Sequence, residues 1–177
     1  MDIIINDANL KLEEVNEINN KVRSLLIDED NNILVANYYG IYLLPGGSLD
    51  KEESKETALI RELKEETGTN YFIDEFTYLC TINYYQKNYP KRNGKFKNRL
   101  LTTHYYVGKY KGLSMQSLTE SEKTGNFKLE LIPLDKLEEL IANNRNDNPR
   151  NMYFIKELVT VLKYYNDNPN KRMILNN

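Results

Sequence analysis

The stretch from Gly47 to Gly68 contains residue types whose spacing could carry out chemistry. Glu62, Glu65 and Glu66 stand at i, i+3 and i+4, so on a helix their carboxylates share one face. Like charges this close repel each other, and a divalent cation would relieve that repulsion. Ligands that are all oxygen favour Mg²⁺ or Mn²⁺, and Mg²⁺ typically joins a few carboxylates to substrate phosphates. The pattern therefore predicts a site for a hard metal ion and a phosphorylated ligand.

A glycine turn precedes these carboxylates. Pro45–Gly47 interrupts a strand, and without a Cβ the backbone can approach a ligand, so the Gly46 carbonyl could be a further metal ligand. The simpler alternative is a solvated helix face, which Glu-rich helices often form. The offsets that relate the turn to Glu53, Arg61, the three carboxylates and Gly68 favour the metal site over that alternative.

This stretch resembles the Nudix box of the Nudix hydrolase superfamily, which includes MutT-like proteins. The family pattern is G-x5-E-x7-R-E-U-x-E-E-x-G-U, where U is a bulky aliphatic residue. The matching residues are Gly47, Glu53, Arg61, Glu62, Leu63, Glu65, Glu66 and Gly68. Thr69 departs from the pattern, but its position concerns core packing and not the ligands.

The resemblance implies a role for each of the polar positions. Glu62, Glu65 and Glu66 would bind Mg²⁺ or Mn²⁺ together with the Gly46 carbonyl. Arg61 would pair with Glu53 and orient the carboxylates. The implied reaction is the attack of water on a phosphorus of a nucleoside diphosphate that is linked to another group.

A different class of function is a Nudix domain that recognises a nucleotide or an ADP-ribose-like ligand without cleaving it. The intact carboxylates argue against this alternative, because the loss of a ligand is the simplest route to an inactive binder.

Many members of the family carry one more acid before the last core strand, as a metal ligand or general base. Glu122 is the preferred candidate for this role and Glu120 is the alternative. Both could equally be solvated loop acids, because a base must reach the attacking water and a sequence does not show distances.

Charge is segregated along the chain, although the net charge is only −2. Residues 1–75 carry 17 acids and 7 bases, whereas residues 76–119 carry eight bases and no acid. A block of one sign shapes the local field and often faces a ligand. We therefore expect the basic, aromatic loop 86–99 to attract a polyphosphate, and an RNA 5′ end is a conceivable ligand. The alternative is a β-hairpin that its lysines keep soluble.

Candidate substrate-binding residues come from this loop and from positions near the box. They are Arg23, Gly47, Lys87, Arg92 and Arg99.

The flanking segments predict an α/β (α+β) fold, in which a mixed β-sheet lies between helices as an α/β/α sandwich. Predicted strands cover 22–27, 33–36, 42–44, 71–85, 100–107 and 127–131. Helices are expected from the capping-box pattern at Asp50 to Gly68, over 133–140 and over about 149–165. In the last helix we expect an apolar stripe to face the core, formed by Ile155, Leu158, Val159 and Leu162. No repeat or linker is visible, so a single Nudix domain is expected over residues 1–177, with the box at 47–69.

Bulk composition places the chain among ordinary globular proteins, with 40% hydrophobic and 28% charged residues. No apolar run is long enough for a membrane span, and the start lacks a basic leader. Cys80 is the only cysteine in the sequence, so an internal disulfide is excluded and a cytoplasmic location is expected. A homodimer is compatible with the sequence, but no residue pattern supports it.

Overall fold

The computed structural model describes residues 1–91, 93–144 and 146–171. Its strands are β1 (Asp2–Ile5), β2 (Glu17–Ile27), β3 (Asn32–Tyr38), β4 (Ile41–Leu43), β5 (Phe76–Pro90), β6 (Phe96–Lys109) and β7 (Lys128–Pro133). Its α-helices are α1 (Lys55–Thr67), α2 (Glu120–Thr124), α3 (Leu134–Asn143) and α4 (Asn151–Asp167). Short 3-10 turns cover Leu12–Glu14, Ile73–Glu75 and Pro169–Lys171.

Within the described residues, these strands form one mixed sheet of seven strands. The order is β1-β5-β6-β2-β3-β4, and β7 also pairs with β3. The pairings β1–β5 and β2–β6 are parallel, and the others are antiparallel.

Hydrophobic side chains alternate along the central strands, so each face of the sheet buries its own core. The core under α1 includes Val22, Leu26, Leu34, Leu59, Leu63 and Tyr106. The core under α4 includes Leu25, Ile27, Leu101, Tyr105, Leu158, Val161 and Leu162. The sheet therefore lies between helices, as the sequence predicts.

Strand β2 connects the sheet to the glycine turn. The Val22 N–H donates to the Gly47 carbonyl at 3.0 Å, and the Ser24 N–H donates to the Pro45 carbonyl at 2.9 Å. On its other side, β2 runs parallel to β6, with Arg23 opposite Tyr105. Because side chains alternate and Leu25 belongs to the core under α4, Arg23 lies on the α4 face.

The helix of the box begins later than the capping-box pattern at Asp50 predicts. That pattern forms a closed turn, in which Glu53 Oε2 accepts the Asp50 N–H at 2.9 Å and the Glu53 N–H donates to the Asp50 carbonyl at 3.1 Å. Glu52 in this turn has a φ of 64°, a left-handed conformation that a helix cannot include. The true N-cap is Ser54, whose hydroxyl accepts the Thr57 N–H at 3.1 Å.

Other predicted boundaries are also wrong. Strand β2 begins at Glu17 and not at Val22. The segment 86–99 is not a loop, because β5 continues to Pro90 and β6 begins at Phe96. Residues 71–75 precede β5 and contain a 3-10 turn. The polar and aromatic residues of the hairpin formed by β5 and β6 do not show the alternation typical of a strand, because these strands form through their pairing with each other.

The last helix has the predicted position, shifted by two residues. It begins at Asn151 and not at Pro149, and it ends at Asp167. Leu158 and Leu162 are buried as expected, whereas Val159 is exposed and does not belong to the core stripe. None of the helices in the described part of the chain is long and apolar enough to cross a membrane.

Candidate active site

A cavity of about 630 Å³ opens between the glycine turn, α1, the β5–β6 hairpin, α2 and the start of α4. Its volume is in the range of small-molecule and cofactor sites. It brings together residues that are far apart in the sequence, from Lys21 to Phe154. One part of its lining is acidic and another is basic.

Glu66 is the most deeply buried acid of the cavity, with 4% of its surface exposed. Its Oε2 accepts the Gly46 N–H at 2.8 Å, which fixes the carboxylate against the glycine turn. Burial raises the pKa of Glu66 to about 8, and the nearby charges of Glu62 and Glu122 act in the same direction. A positive charge beside Glu66 would therefore stabilise its ionised form.

The Glu62 carboxylate lies against the same turn. A Cβ on Gly47 would stand 2.2 Å from the Glu62 Cδ, so this close approach requires a glycine. Burial raises the pKa of Glu62, while the hydrogen bond from Arg61 opposes that rise. Glu62 and Glu66, one helical turn apart on α1, thus meet at the glycine turn.

Arg61 connects the helix to the turn that precedes it. Its Nε and Nη2 donate to the two carboxylate oxygens of Glu53, each at 2.9 Å. Its Nη2 also donates to the Ser48 carbonyl at 3.0 Å. The hydrogen bonds from Arg61 hold the pKa of Glu53 at about 2. This two-point pairing fixes the side of α1 that carries the carboxylates, although Glu53 does not line the cavity.

The same guanidinium also holds two of the three carboxylates. Its Nη1 donates to Glu62 Oε1 at 2.9 Å and lies 3.6 Å from Glu65 Oε1. In this arrangement, no three acidic, histidine or cysteine side chains among the described residues converge closely enough to hold a metal ion.

The donors nevertheless fit a hard divalent cation in kind. Glu62 and Glu66 meet at the Gly46–Gly47 turn, Glu65 lies three residues after Glu62 and directly before Glu66 on α1, and every available donor is oxygen. The raised pKa values of Glu62 and Glu66 indicate negative charge that is poorly compensated. Binding would require Glu62 and Glu65 to exchange their contacts with Arg61 for the cation.

The two acids considered in the segment before β7 have different positions. Glu122 lines the cavity, but its Oε2 accepts hydrogen bonds from the Thr119 N–H at 2.6 Å and hydroxyl at 2.7 Å, as part of the capping box of α2. Glu120 does not line the cavity and pairs with Lys123 at 2.7 Å. Glu120 is therefore not supported as a site residue, because the short helix α2 turns it away.

The basic part of the lining comes from β2 and β6. Arg23 is buried, and its Nη1 donates to the Leu44 carbonyl and to the Gly46 carbonyl, the latter at 3.4 Å. Arg99 is buried beside Gln86, which accepts its Nε–H, and its guanidinium carbon lies 3.3 Å from the centre of the Tyr89 ring. These two predicted substrate-binding residues thus face the cavity.

The other two candidates from the β5–β6 hairpin are not supported as cavity residues. Lys87 is exposed and does not line the cavity, because Gln86 next to it occupies the buried position of β5. Arg92 lies outside the described residues.

Three lysines of the basic segment are ion-paired with acids of the first 75 residues, and one of them, Lys91, also lines the cavity. Lys91 binds Glu17 at 2.7 Å, Lys109 binds Glu29 at 2.6 Å, and Lys111 binds Glu75.

Several cavity residues escaped the sequence analysis. They include Lys21, Tyr38, Phe127, Arg150 and Phe154. Lys21 had a detectable signal only if the strand is extended past its predicted start, because a lysine two residues before Arg23 then shares its face. The others have no such signal, since only the tertiary fold brings β3, β7 and α4 to the cavity.

The chain was compared with known protein families. A family model described as the NUDIX domain matches residues 19–156, which include the glycine turn, α1 and the whole cavity. The chain belongs to the Nudix family.

Curated Nudix relatives match over shorter stretches. A MutT-like protein from Streptomyces ambofaciens is 38% identical over 58 residues, which are 32% of this chain and 38% of that protein. An 8-oxo-dGTP diphosphatase from Proteus vulgaris is 32% identical over 75 residues, which are 39% of this chain and 62% of that protein. The matched part of this chain therefore spans less than two thirds of the length of either relative.

Solved structures match over most of the chain. A MutT protein from Methanosarcina mazei has a TM-score of 0.55 at 15% identity, covering 89% of this chain and 99% of that one. The Nudix domain of Shewanella oneidensis NrtR, solved with ADP ribose, has a TM-score of 0.51 at 19% identity, covering 88% and 95%. These likenesses confirm the predicted Nudix fold class, and at these identities they show the fold alone.

Proposed function

We propose that this Nudix domain is a metal-dependent pyrophosphohydrolase that acts on a nucleoside diphosphate linked to another group. The observation that carries the proposal is the meeting of Glu62 and Glu66 at the Gly46–Gly47 turn, in a cavity whose lining is acidic in one part and basic in another. Family membership and the names of the curated relatives support the same reaction class.

The proposed ligands of the cation are Glu62, Glu65, Glu66 and the Gly46 carbonyl. Nudix hydrolases generally use divalent metal ions, and oxygen donors of this kind suit Mg²⁺ or Mn²⁺. A cation bound there would activate water and neutralise negative charge on the phosphate oxygens.

The protein residues have separate tasks in this reaction. Water attacks a phosphorus, the bond from that phosphorus to the bridging oxygen breaks, and the leaving phosphate or phosphate ester carries away the electron pair. Arg61, held by Glu53, orients the carboxylates, and Arg23 fixes the Gly46 carbonyl while presenting positive charge to the cavity. Glu122 is the candidate to receive the proton of the water, because it lines the cavity close enough to Glu66 to raise the pKa of that acid.

The second candidate function is nucleotide recognition without cleavage. One observation favours it, namely that Arg61 pairs with Glu62 and Glu65 so that the carboxylates do not converge. The Nudix domain of NrtR, a structural neighbour, was solved with ADP ribose.

A panel of nucleotides tests the two functions against each other. Nucleoside triphosphates, ADP-ribose and nucleotide sugars would be incubated with the protein and Mg²⁺ or Mn²⁺, and both phosphate release and binding would be measured. We expect cleavage of at least one compound and none in EDTA. Binding of a compound without cleavage under any metal condition would replace the hydrolase by the recognition domain.

A further inference from the structure

Four basic residues of the cavity form no ion pair in the described part of the chain. Arg150 precedes α4 and donates to Asn148, whereas the other three lie on β2 and β6. Among the described residues, Lys21, Arg23 and Arg99 form no ion pair within 4.0 Å, whereas Arg61 and Lys91 of the same cavity are ion-paired. The hydrogen bonds of Arg23 and Arg99 go to neutral carbonyl oxygens, and Lys21 has no side-chain hydrogen bond in the described part of the chain. Desolvated charges without partners are costly, so an anionic ligand would stabilise them.

A buried acid of α4 forms no ion pair with these three residues in the described part of the chain. Glu157 of α4 is 4% exposed, and its Oε1 accepts hydrogen bonds from the Tyr105 hydroxyl at 2.8 Å and from the Thr103 hydroxyl. Its charge acts on Lys21 and Arg99 only from a distance. Other acids also act on these cations from beyond ion-pair distance: Glu62 on Lys21 and Arg23, Glu66 on Arg23, and Glu17 on Arg99. The three cations therefore lie in the field of several carboxylates but form no direct ion pair among the described residues.

The three cations lie along β2 and β6, and Arg99 is the one that lies well away from the glycine turn. Arg23 contacts the Gly46 carbonyl at the turn. Lys21, two residues earlier on the same face of β2, is bridged to Ser48, the residue that follows the turn. Arg99 of β6 lies opposite Glu17 of β2, and Glu17 is four residues before Lys21. At ~3.3 Å per residue, the backbone positions of Lys21 and Arg99 are thus roughly 13 Å apart along the strands.

Lys21 and Arg99 line the same cavity. Burial, together with the charges of Arg23 and Arg99, lowers the pKa of Lys21 to about 8. Arg99 is held in place by stacking on Tyr89, whose ring in turn meets Tyr153 at 5.2 Å. A rigid cation is well suited to bind an anion, because little side-chain freedom is lost.

A diphosphate at the glycine turn would be too short to reach the far end of this row, because its two phosphorus atoms share one oxygen. We propose that Lys21 and Arg99 form an anion subsite for a phosphate group of the substrate that lies beyond the cleaved diphosphate. The assignment of the cleaved diphosphate rests on the proposed function, whereas anion binding at these two residues does not require catalysis. The group attached to the nucleoside diphosphate is therefore itself phosphorylated.

Binding of inorganic tripolyphosphate in EDTA tests the subsite without metal or turnover. By isothermal titration calorimetry, we expect the wild-type protein to bind tripolyphosphate, and Lys21→Met and Arg99→Met each to weaken binding about 10- to 100-fold. Lys87→Met is the matched control, because Lys87 is exposed and outside the cavity, and it should bind as the wild type does.

Two probes distinguish the source of the extra phosphate. If Lys21→Met loses binding of tripolyphosphate, the extra phosphate belongs to a polyphosphate chain. If it loses binding of ribose 5-phosphate, the extra phosphate belongs to a phosphorylated sugar. If the wild type and Lys21→Met bind both probes equally, or if the wild type binds neither, the subsite is wrong.

Thermal unfolding separates a binding role from a structural one. Methionine keeps the length of the side chain and removes an unpaired ammonium, so Lys21→Met without ligand should unfold at the same temperature as the wild type or higher. A clear fall in Tm together with lost binding would make Lys21 structural and overturn the subsite. If the protein releases phosphate but Lys21→Met binds anions as the wild type does, the proposed function stands and the subsite is wrong. If the protein releases no phosphate but Lys21→Met has lost anion binding, the subsite stands and the proposed function is wrong.

Discussion

At the scale of single residues, Arg61 links the carboxylates of α1 to the rest of the site. It donates two hydrogen bonds to Glu53 and also contacts Glu62 and Glu65. The Nudix pattern predicted the pairing of Arg61 with Glu53, because an arginine and a glutamate at that spacing are part of the motif. The competition of Arg61 for Glu62 and Glu65 could not be predicted, since it depends on side-chain conformations that the motif leaves open.

Replacement of Glu53 tests this positioning role. Glu53→Gln removes the charge that anchors Arg61, so the carboxylates should be less well oriented, and we expect kcat to fall ~10- to 100-fold. The matched control is Glu52→Gln, because Glu52 is adjacent and its side chain is 84% exposed. Kinetics with the best substrate of the panel would check this. Equal rates in the two variants would contradict the role of Glu53.

The ammonium of Lys21 predicts a dependence of stability on pH. Its pKa falls from an ordinary value of 10.5 to about 8 in the folded protein. Between these two values the unfolded chain binds more protons than the folded one, so the contribution of Lys21 to stability rises with pH. The wild type should therefore gain stability relative to Lys21→Met as the pH rises from about 8 to 10.

Urea unfolding of both proteins at pH 7.5, 9 and 10 measures this difference, because the remaining titrating groups are common to the two. A constant difference over this range would show that Lys21 keeps an ordinary pKa.

At the scale of elements, the glycine turn positions both the sheet and the helix. Gly46 has a φ of 127°, and a Cβ there would stand 2.2 Å from the backbone oxygen of Val22. A Cβ on Gly47 would instead meet only the end of the Glu62 side chain. The two adjacent glycines thus have different roles. Gly46 lets the turn approach the backbone of β2, and Gly47 makes room for the Glu62 carboxylate.

These two positions predict opposite effects of alanine. Gly46→Ala should destabilise the protein by at least ~1–3 kcal/mol, because neither the φ angle nor the strand backbone can yield cheaply. Gly47→Ala should leave stability close to that of the wild type and lower activity by roughly tenfold or more, because Glu62 must move. Unfolding midpoints and kcat/KM of both variants would test these two effects. A fully active Gly47→Ala would show that the position of Glu62 is not important.

The elements differ in how well the sequence predicts them. Helix α1 and strand β2 were predicted because their apolar spacing is regular, and the core under α1 contains the expected Leu59 and Leu63. The start of α1 was misplaced because Asp50 and Glu53 satisfy each other in a turn, a local arrangement that has the same pattern as a capping box. Residues 86–99 were expected to be a loop between predicted strands at 71–85 and 100–107, because the strand character of this segment depends on pairing and not on composition. The alternative interpretation, a β-hairpin, agrees with the structure.

At the scale of the whole molecule, the acidic and basic segments meet in the folded structure. Lys91, Lys109 and Lys111, three of the eight bases of residues 76–119, pair with acids from the first 75 residues, so folding offsets part of the charge segregation of the sequence. The cavity remains bipolar, with Glu62 and Glu66 in one part of its lining and Lys21, Arg23 and Arg99 in another. The sequence predicted the acidic residues from one motif, but the basic set comes from two strands and could be assembled only by the fold.

The homodimer, the RNA 5′ end as a ligand and the cytoplasmic location stay predictions of the sequence. The single domain over residues 1–177 is likewise a prediction, and the Nudix match supports it for residues 19–156.

The central claim is that Glu66 and its neighbours bind a divalent cation that is needed for hydrolysis. The most direct measurement is the rate of phosphate release from the best substrate by the wild type and Glu66→Gln, each with Mn²⁺ and with EDTA. We expect the wild-type rate to require Mn²⁺ and Glu66→Gln to lower kcat by more than ~100-fold, since a direct ligand should matter more than the residues that support it. Near-wild-type turnover by Glu66→Gln, or full wild-type turnover in EDTA, would contradict the account.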